Sequence, residues 1–176
     1  MDHYKSPSLN HFTTRGVDRV ARNRRDDEWL AGRLQDASTR FIPVWRSKNL
    51  FAAGHISEPV FLRAHEVQGL VSTAGSTVLL GVDGKGTYFA VDVSSEEDAP
   101  PAALAALGQF RDLRRVAALL DEQHCALLAY AKAIIHWHHR HRFCGDCGSP
   151  TASVDGGYVR VCTSEACGRQ HFPRVD

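Results

Sequence analysis

Four cysteines near the carboxyl end constrain this chain more than any other feature. Cys144 and Cys147 stand in F-C-G-D-C-G, Cys162 and Cys167 in C-T-S-E-A-C-G, and fourteen residues lie between the two pairs. Zn²⁺ takes four ligands at the corners of a tetrahedron, with thiolate sulfur about 2.3 Å away. Two cysteines with two residues between them can turn back on one ion, and the four residues between Cys162 and Cys167 stay within the range seen for such sites. Gly148 and Gly168 each follow the second cysteine of a pair. Glycine tolerates left-handed backbone there, which lets amides point at the thiolates. Tyr158, Val159 and Val161 can form a strand leading into the second pair. The pattern predicts a zinc ribbon over residues 143–176, with Cys144, Cys147, Cys162 and Cys167 as ligands of one Zn²⁺ per chain. Four thiolates leave no open position, so the ion is expected to be structural. The alternatives are two disulfides, or a thioredoxin-like redox pair at Cys144 and Cys147. Disulfides belong to oxidising compartments, and the opening M-D-H-Y-K-S-P has no apolar signal core. A redox pair calls for a surrounding βαβ pattern, which is not visible. The fifth cysteine, Cys125, sits in a helical apolar pattern and reads as a small buried residue.

The wording around these cysteines carries more. H-R-F-C-G-x-C-G, the G-G-Y before Cys162, and the closing H-F-P-R-V-D resemble the zinc-ribbon segment of the NADH pyrophosphatases, a branch of the Nudix hydrolases. In that family the segment leads into the catalytic Nudix domain, and F-P-R-x-D is the entry to its first strand. The Nudix box, a glycine followed by a spaced glutamate and R-E-x-x-E-E, does not occur in these 176 residues. The resemblance therefore covers the whole chain but only the non-catalytic half of the family's architecture. It implies the amino-terminal and zinc-ribbon portion of an enzyme that cleaves the pyrophosphate of NADH or NAD⁺ to nicotinamide mononucleotide and AMP. Removal of an NAD cap from RNA is implied as well. Mg²⁺ or Mn²⁺ is expected only in the absent Nudix domain, no catalytic residue is expected here, and the chain alone is expected to be inactive. The acidic run Glu96, Glu97 and Asp98 lacks helical i, i+4 placement and offers no substitute. The family also implies a homodimer, with NAD(H) or NAD-capped RNA as partners.

Two substrate-binding positions carry over by resemblance. Arg114, in D-L-R, matches an arginine that touches substrate ahead of the family's long helix; an exposed helical arginine is the alternative. Phe172 stands where the family has an aromatic residue, often tyrosine, at the nucleotide pocket. Phenylalanine can stack on a base but has no hydroxyl to donate.

The rest of the chain reads as α+β. Residues 1–37 form a lead-in whose Arg15, Arg19, Arg22, Arg24 and Arg25 suggest a solvated tail; no interleaved aromatics suit it to nucleic acid. It ends in a short helix over Asp26–Asp36, with acids at its start and Trp29, Leu30 and Leu34 on one face. Residues 38–110 predict a small, mostly antiparallel β domain. Its strands are Phe41–Arg46, with Pro43 suggesting a sheet edge, then Asn49–Ala53, Pro59–Ala64, Thr77–Val82 and Thr87–Val93, the last two joined by the turn D-G-K-G. By resemblance this is the family's degenerate Nudix-like domain. Ser94–Pro101 reads as a loop and Ala102–Leu107 as a helix. Residues 111–142 are a helical connector. Leu113, Val116, Leu119 and Leu120 follow helical spacing, and a broad apolar stripe then runs from Cys125 to His139. His136, His138, His139 and His141 offer a metal site on one reading. On the favoured one they are the polar end of a helix, where cations suit the dipole.

A net charge of +1 steers no nucleic acid or membrane to the chain. The longest apolar runs, such as Thr77–Val82, are too short to span a bilayer. A reducing cytoplasm is expected, with thiols free for zinc. The alternative function is a stand-alone zinc-ribbon module binding a protein or nucleic acid, against which Arg160, Arg169 and Arg174 are few and spread out.

Overall fold

The computed structural model describes residues 17–71, 76–95 and 98–174. Arg15 of the basic lead-in, Glu96 and Glu97 of the acidic run, and the closing Val175 and Asp176 lie outside the described residues.

Helix α1 spans Asp27–Gln35, and the carboxylate of Asp26 caps it by accepting from the Trp29 N–H. Strands β1 (Arg40–Trp45) and β2 (Lys48–Ala52) follow, then helix α2 (Ala64–Val71), and β3 (Thr77–Asp83) and β4 (Gly86–Asp92). Helix α3 (Ala102–Leu107) leads into β5 (Gly108–Arg111), and the long helix α4 runs from Glu122 to Arg140. The five strands form one sheet in the order β3-β4-β1-β2-β5. Only the β1–β4 pairing is parallel; the other three are antiparallel. The small, mostly antiparallel domain expected from the sequence is therefore present.

Both faces of this sheet are covered, which is why its strands read as nearly unbroken apolar runs. Side chains alternate between faces. Ile42, Val44, Val78, Leu80, Tyr88 and Ala90 pack under α4 against Leu127, Leu128, Ala131 and Ile134. Phe41, Trp45, Leu79, Phe89 and Val91 face the other way, toward Leu62, Val67 of α2, Leu104 of α3 and the half-buried Trp29, Leu30 and Leu34 of α1. Cys125 is buried in α4, as its pattern suggested.

Two tight turns fix the register. Arg46 and Ser47 join β1 to β2 with φ of 45° and 60°, the left-handed pair whose twist suits a two-residue hairpin. Between β3 and β4 the Asp83 carboxylate accepts from the Lys85 and Gly86 N–H groups at 2.7 and 3.1 Å. A β-carbon at Gly86 would lie 2.2 Å from the Ser38 carbonyl oxygen, so only glycine lets the two segments approach this closely.

Four local expectations are corrected. Pro43 lies in an interior strand, with β4 on one side and β2 on the other. Phe41 exchanges hydrogen bonds with Leu62, and β2 pairs with β1 only at Val44 and Trp45. Main-chain groups alternate sides, so the proline nitrogen faces the gap between those two pairings and no ladder bond is lost. Pro59–Ala64 is not a strand; it makes isolated bridges at Pro59 and Leu62 and runs directly into α2. Leu113–Leu120 is not a continuous helix but two 3₁₀ turns, Leu113–Arg115 and Ala117–Leu119, broken where Val116 takes φ −122°. Arg24 is not part of a solvated tail: at 4% exposure it reaches into the sheet.

Beyond α4 the chain forms a second, three-stranded antiparallel sheet from β6 (Thr151–Val154), β7 (Val159–Cys162) and β8 (Gln170–His171), in that order. Among the described residues no helix is long and apolar enough to cross a membrane.

Candidate metal centre

The second sheet gathers the cysteines. Cys144 and Cys147 lie on the loop between α4 and β6, Cys162 ends β7, and Cys167 lies on the loop before β8. Each pair is closed by a tight turn: the Gly148 N–H donates to the Cys144 carbonyl and the Gly168 N–H to the Ser164 carbonyl, both at 2.9 Å. Gly148 and Gly168 take φ of 76° and 55°, the left-handed backbone expected after each second cysteine.

The four sulfurs lie within 4.8 Å of one another. Cys144 Sγ is 3.8 Å from Cys167 Sγ, and Cys147 Sγ is 3.4 Å from Cys162 Sγ. Four sulfurs each about 2.3 Å from one ion sit about 3.8 Å apart, so the spacing fits a tetrahedral zinc site. None of the four is in a disulfide. Local hydrogen bonding divides the thiols. The side chain of Ser149, and then its backbone, pull the Cys147 thiol down to about 6. At Cys162 a backbone bond from Ser164 favours the thiolate, but burial and the neighbouring sulfurs oppose it and push the thiol up to about 12. Four like charges in so small a volume can coexist only around a cation, which is what a bound dication supplies.

The histidine cluster does not form a second metal site among the described residues, where the cysteines are the one group of that kind. Each ring goes its own way. His139 Nε2 pairs with Asp92 Oδ2 at 2.5 Å. His141 Nδ1 donates to the Trp137 carbonyl at 2.9 Å and its ring stacks on Trp137. His136 lines a cavity of about 530 Å³. His138 departs from the expected cationic helix end. It is 1% exposed, and burial, ahead of the neighbouring charges, lowers it to about 4, so the ring is neutral. Its Nε2 lies 2.7 Å from the Gly157 carbonyl and its Nδ1 2.9 Å from Arg160 Nη1. A carbonyl only accepts and a guanidinium only donates, which fixes the proton on Nε2. His171 is no member of the cysteine cluster; its ring lies 6.4 Å from that of His141.

Arg114 sits on the first 3₁₀ turn, capped by the Asp112 side chain, which accepts its N–H at 3.1 Å. With Asp112, Lys132, His136 and Ser47 it lines the 530 Å³ cavity. Phe172, 56% exposed, follows β8 and is not among the residues lining that cavity. Arg160 points inward, donating to Thr151 Oγ1 and the Thr151 carbonyl at 2.7 Å each, so it adds nothing to an exposed basic face. Nothing in the sequence marked this His138–Arg160–Thr151 network, because its members come from a helix and two strands separated by loops.

The profile of the NADH pyrophosphatase-like rudimentary NUDIX domain matches residues 38–137 of this chain. The NADH pyrophosphatase zinc ribbon profile matches residues 139–172. Among curated proteins, the human NAD-capped RNA hydrolase NUDT12 is 26% identical over 204 aligned residues, covering 95% of this chain and 44% of the relative. The NAD-capped RNA hydrolase NudC of Mycobacterium tuberculosis is 28% identical over 162 residues, 92% of this chain and 48% of the relative. NudC of Stutzerimonas stutzeri is 37% identical over 108 residues, 61% of this chain and 33% of the relative. The chain thus spans less than half the length of each of these relatives. With a rudimentary NUDIX domain over the five-stranded sheet and a zinc ribbon over the cysteine cluster, in succession, the chain belongs to the NADH pyrophosphatase family.

Proposed function

We propose that this chain is the structural and substrate-edge half of a pyrophosphatase acting on NAD(H) and on NAD-capped RNA. The observation that carries the reading is the order of its two parts: a rudimentary NUDIX domain followed directly by a ribbon whose four sulfurs converge. The names of the relatives, NAD-capped RNA hydrolases, support the substrate class.

Each part has a physical task. Cys144, Cys147, Cys162 and Cys167 hold one Zn²⁺, which cross-links the two loops of the ribbon and supplies folding energy, not chemistry. Arg114 offers a planar pair of donors suited to phosphate oxygens. Phe172 offers an exposed ring on which a base can stack. Mg²⁺ or Mn²⁺ belongs to a Nudix box, and these 176 residues contain none, so this chain contributes no catalytic group. A second copy of the chain completes a homodimer. The reduced thiols suit the cytoplasm.

Incubation of the purified chain with NADH and Mg²⁺ or Mn²⁺ tests this, and no nicotinamide mononucleotide is expected. Turnover that persists through rigorous purification would overturn the division of labour. Reading the gene past codon 176 is the companion test. A Nudix box within about sixty residues agrees with the proposal, and a stop codon there would favour a free-standing ribbon module.

A further inference from the structure

A cavity of about 410 Å³ lies where the rudimentary NUDIX domain meets the ribbon. Asp92 at the end of β4, Ser94 and Ser95 after it, His139 of α4, Arg142 and Arg160 of β7 contribute to its walls. It is distinct from the cavity that holds Arg114.

The hydrogen-bond inventory of these walls is lopsided. The one carboxylate, Asp92, is already engaged at both oxygens, by His139 Nε2 at 2.5 Å and by the Ser94 N–H at 3.0 Å. His138, also in the wall, has both ring nitrogens occupied. Donors are in surplus. A guanidinium carries five N–H groups, and Arg160 uses three, on Thr151 Oγ1, the Thr151 carbonyl and His138 Nδ1. The Arg142 guanidinium has no hydrogen bond or ion pair among the described residues. The Ser94 hydroxyl accepts from the Arg46 N–H at 2.8 Å and keeps its own proton to donate. Both guanidiniums line this one cavity. Two neighbouring cations with spare donors and no free carboxylate are relieved by an acceptor-only anion placed between them.

We propose that this cavity binds a phosphate group, gripped by Arg142 and Arg160 with the Ser94 and Ser95 hydroxyls as further donors. The phosphate comes either free or as a phosphodiester of single-stranded RNA, whose chemistry at this site is the same. The site needs neither the Nudix chemistry nor Arg114, so it stands or falls apart from the function proposed above.

Isothermal titration of the zinc-loaded chain with inorganic phosphate, against chloride at matched ionic strength, tests it. Saturable one-to-one binding is expected. Arg142→Gln should weaken it about tenfold or more, as loss of a charge-assisted bond requires. The melting temperature in chloride should stay unchanged, because that side chain makes no internal bond. Lys85→Gln, on the exposed β3–β4 turn, removes the same charge elsewhere and should leave binding intact. The proposal is overturned if phosphate binds no better than chloride, if Arg142→Gln binds like the parent chain, or if Lys85→Gln weakens binding as much. A short RNA oligonucleotide without terminal phosphates separates the sources. Competition with inorganic phosphate assigns the site to a phosphodiester; binding of phosphate without competition assigns it to the free ion.

Discussion

His138 couples the stability of this molecule to pH, and the size of the effect follows from its surroundings. Folded, the ring is buried between the Gly157 carbonyl and the Arg160 guanidinium, and its ordinary value of 6.5 falls to about 4. A second proton would have to enter at Nδ1, directly against the guanidinium. Between those two values the unfolded chain binds a proton that the folded chain refuses. Stability therefore rises with pH across this window; it is fully present above 6.5 and lost as pH falls toward 4. From pH 7 to pH 5 this one group should remove about 2 kcal/mol. His138→Gln preserves both contacts, since an amide N–H can donate to the Gly157 carbonyl and an amide oxygen can accept from Arg160. Glutamine does not titrate. Urea unfolding of both proteins at pH 7 and pH 5, zinc present throughout, isolates the contribution, because acid release of zinc affects the two alike. The parent should lose about 2 kcal/mol more than the variant over that interval. Parallel losses would refute the reasoning and mean that the imidazole is protonated in the fold.

Two further outcomes are expected. The chain should carry one zinc by elemental analysis, and Cys162→Ser should lose it on dialysis against a weak chelator with a fall in melting temperature, because the metal is part of the ribbon's folding energy; a variant that keeps both is not missing a ligand. Arg24→Met should destabilise the fold by about 3 kcal/mol in urea unfolding, since it strands buried carbonyls. Arg24 donates to the Leu79, Leu80 and Arg19 carbonyls at 2.8, 3.2 and 2.7 Å, and a loss below about 1 kcal/mol would show that water replaces it freely.

What the sequence disclosed follows from how local each signal is. The cysteine pairs, the turn at Asp83–Gly86, the acids that open α1 and the apolar stripe of α4 all act over a few residues, and each appears where it was expected. The errors arise where a distant partner decides. Val60 and Leu62 alternate like a strand, yet among the described residues each finds one main-chain partner, the Val60 N–H on the Leu50 carbonyl and Leu62 on Phe41. Helix α2 contains valines and a glycine that lower helix propensity, and the burial of Val67 against the sheet offsets this. Pro43 reads as an edge residue until the gap beside β1 is seen. Arg24 reads as a surface charge until the irregularity between Leu79 and Gly81 leaves carbonyls for it to meet. His139 and Asp92 are 47 residues apart, and no pattern in the chain links them.

The ribbon is held to the sheet at the end opposite its cysteines, and this separates two functions that the sequence presents as one. The β6–β7 connection, Asp155–Gly157, packs on β3 so closely that a β-carbon at Gly157 would lie 2.9 Å from the Val78 methyls. Arg25 pairs with Asp155 at 3.1 Å, Arg24 lies over the Tyr158 ring, and His138 and Arg160 bridge α4 to β7. None of these contacts involves a cysteine. Docking is thus a matter of packing, one buried cation and one neutral histidine, while the shape of the far loops depends on the converging sulfurs. A metal confined to the far end can order the cysteine loops and Phe172 without setting the angle between ribbon and sheet. That angle is set by residues Arg24, Gly157 and His138, and it positions the cavity of Arg142 and Arg160 at the junction.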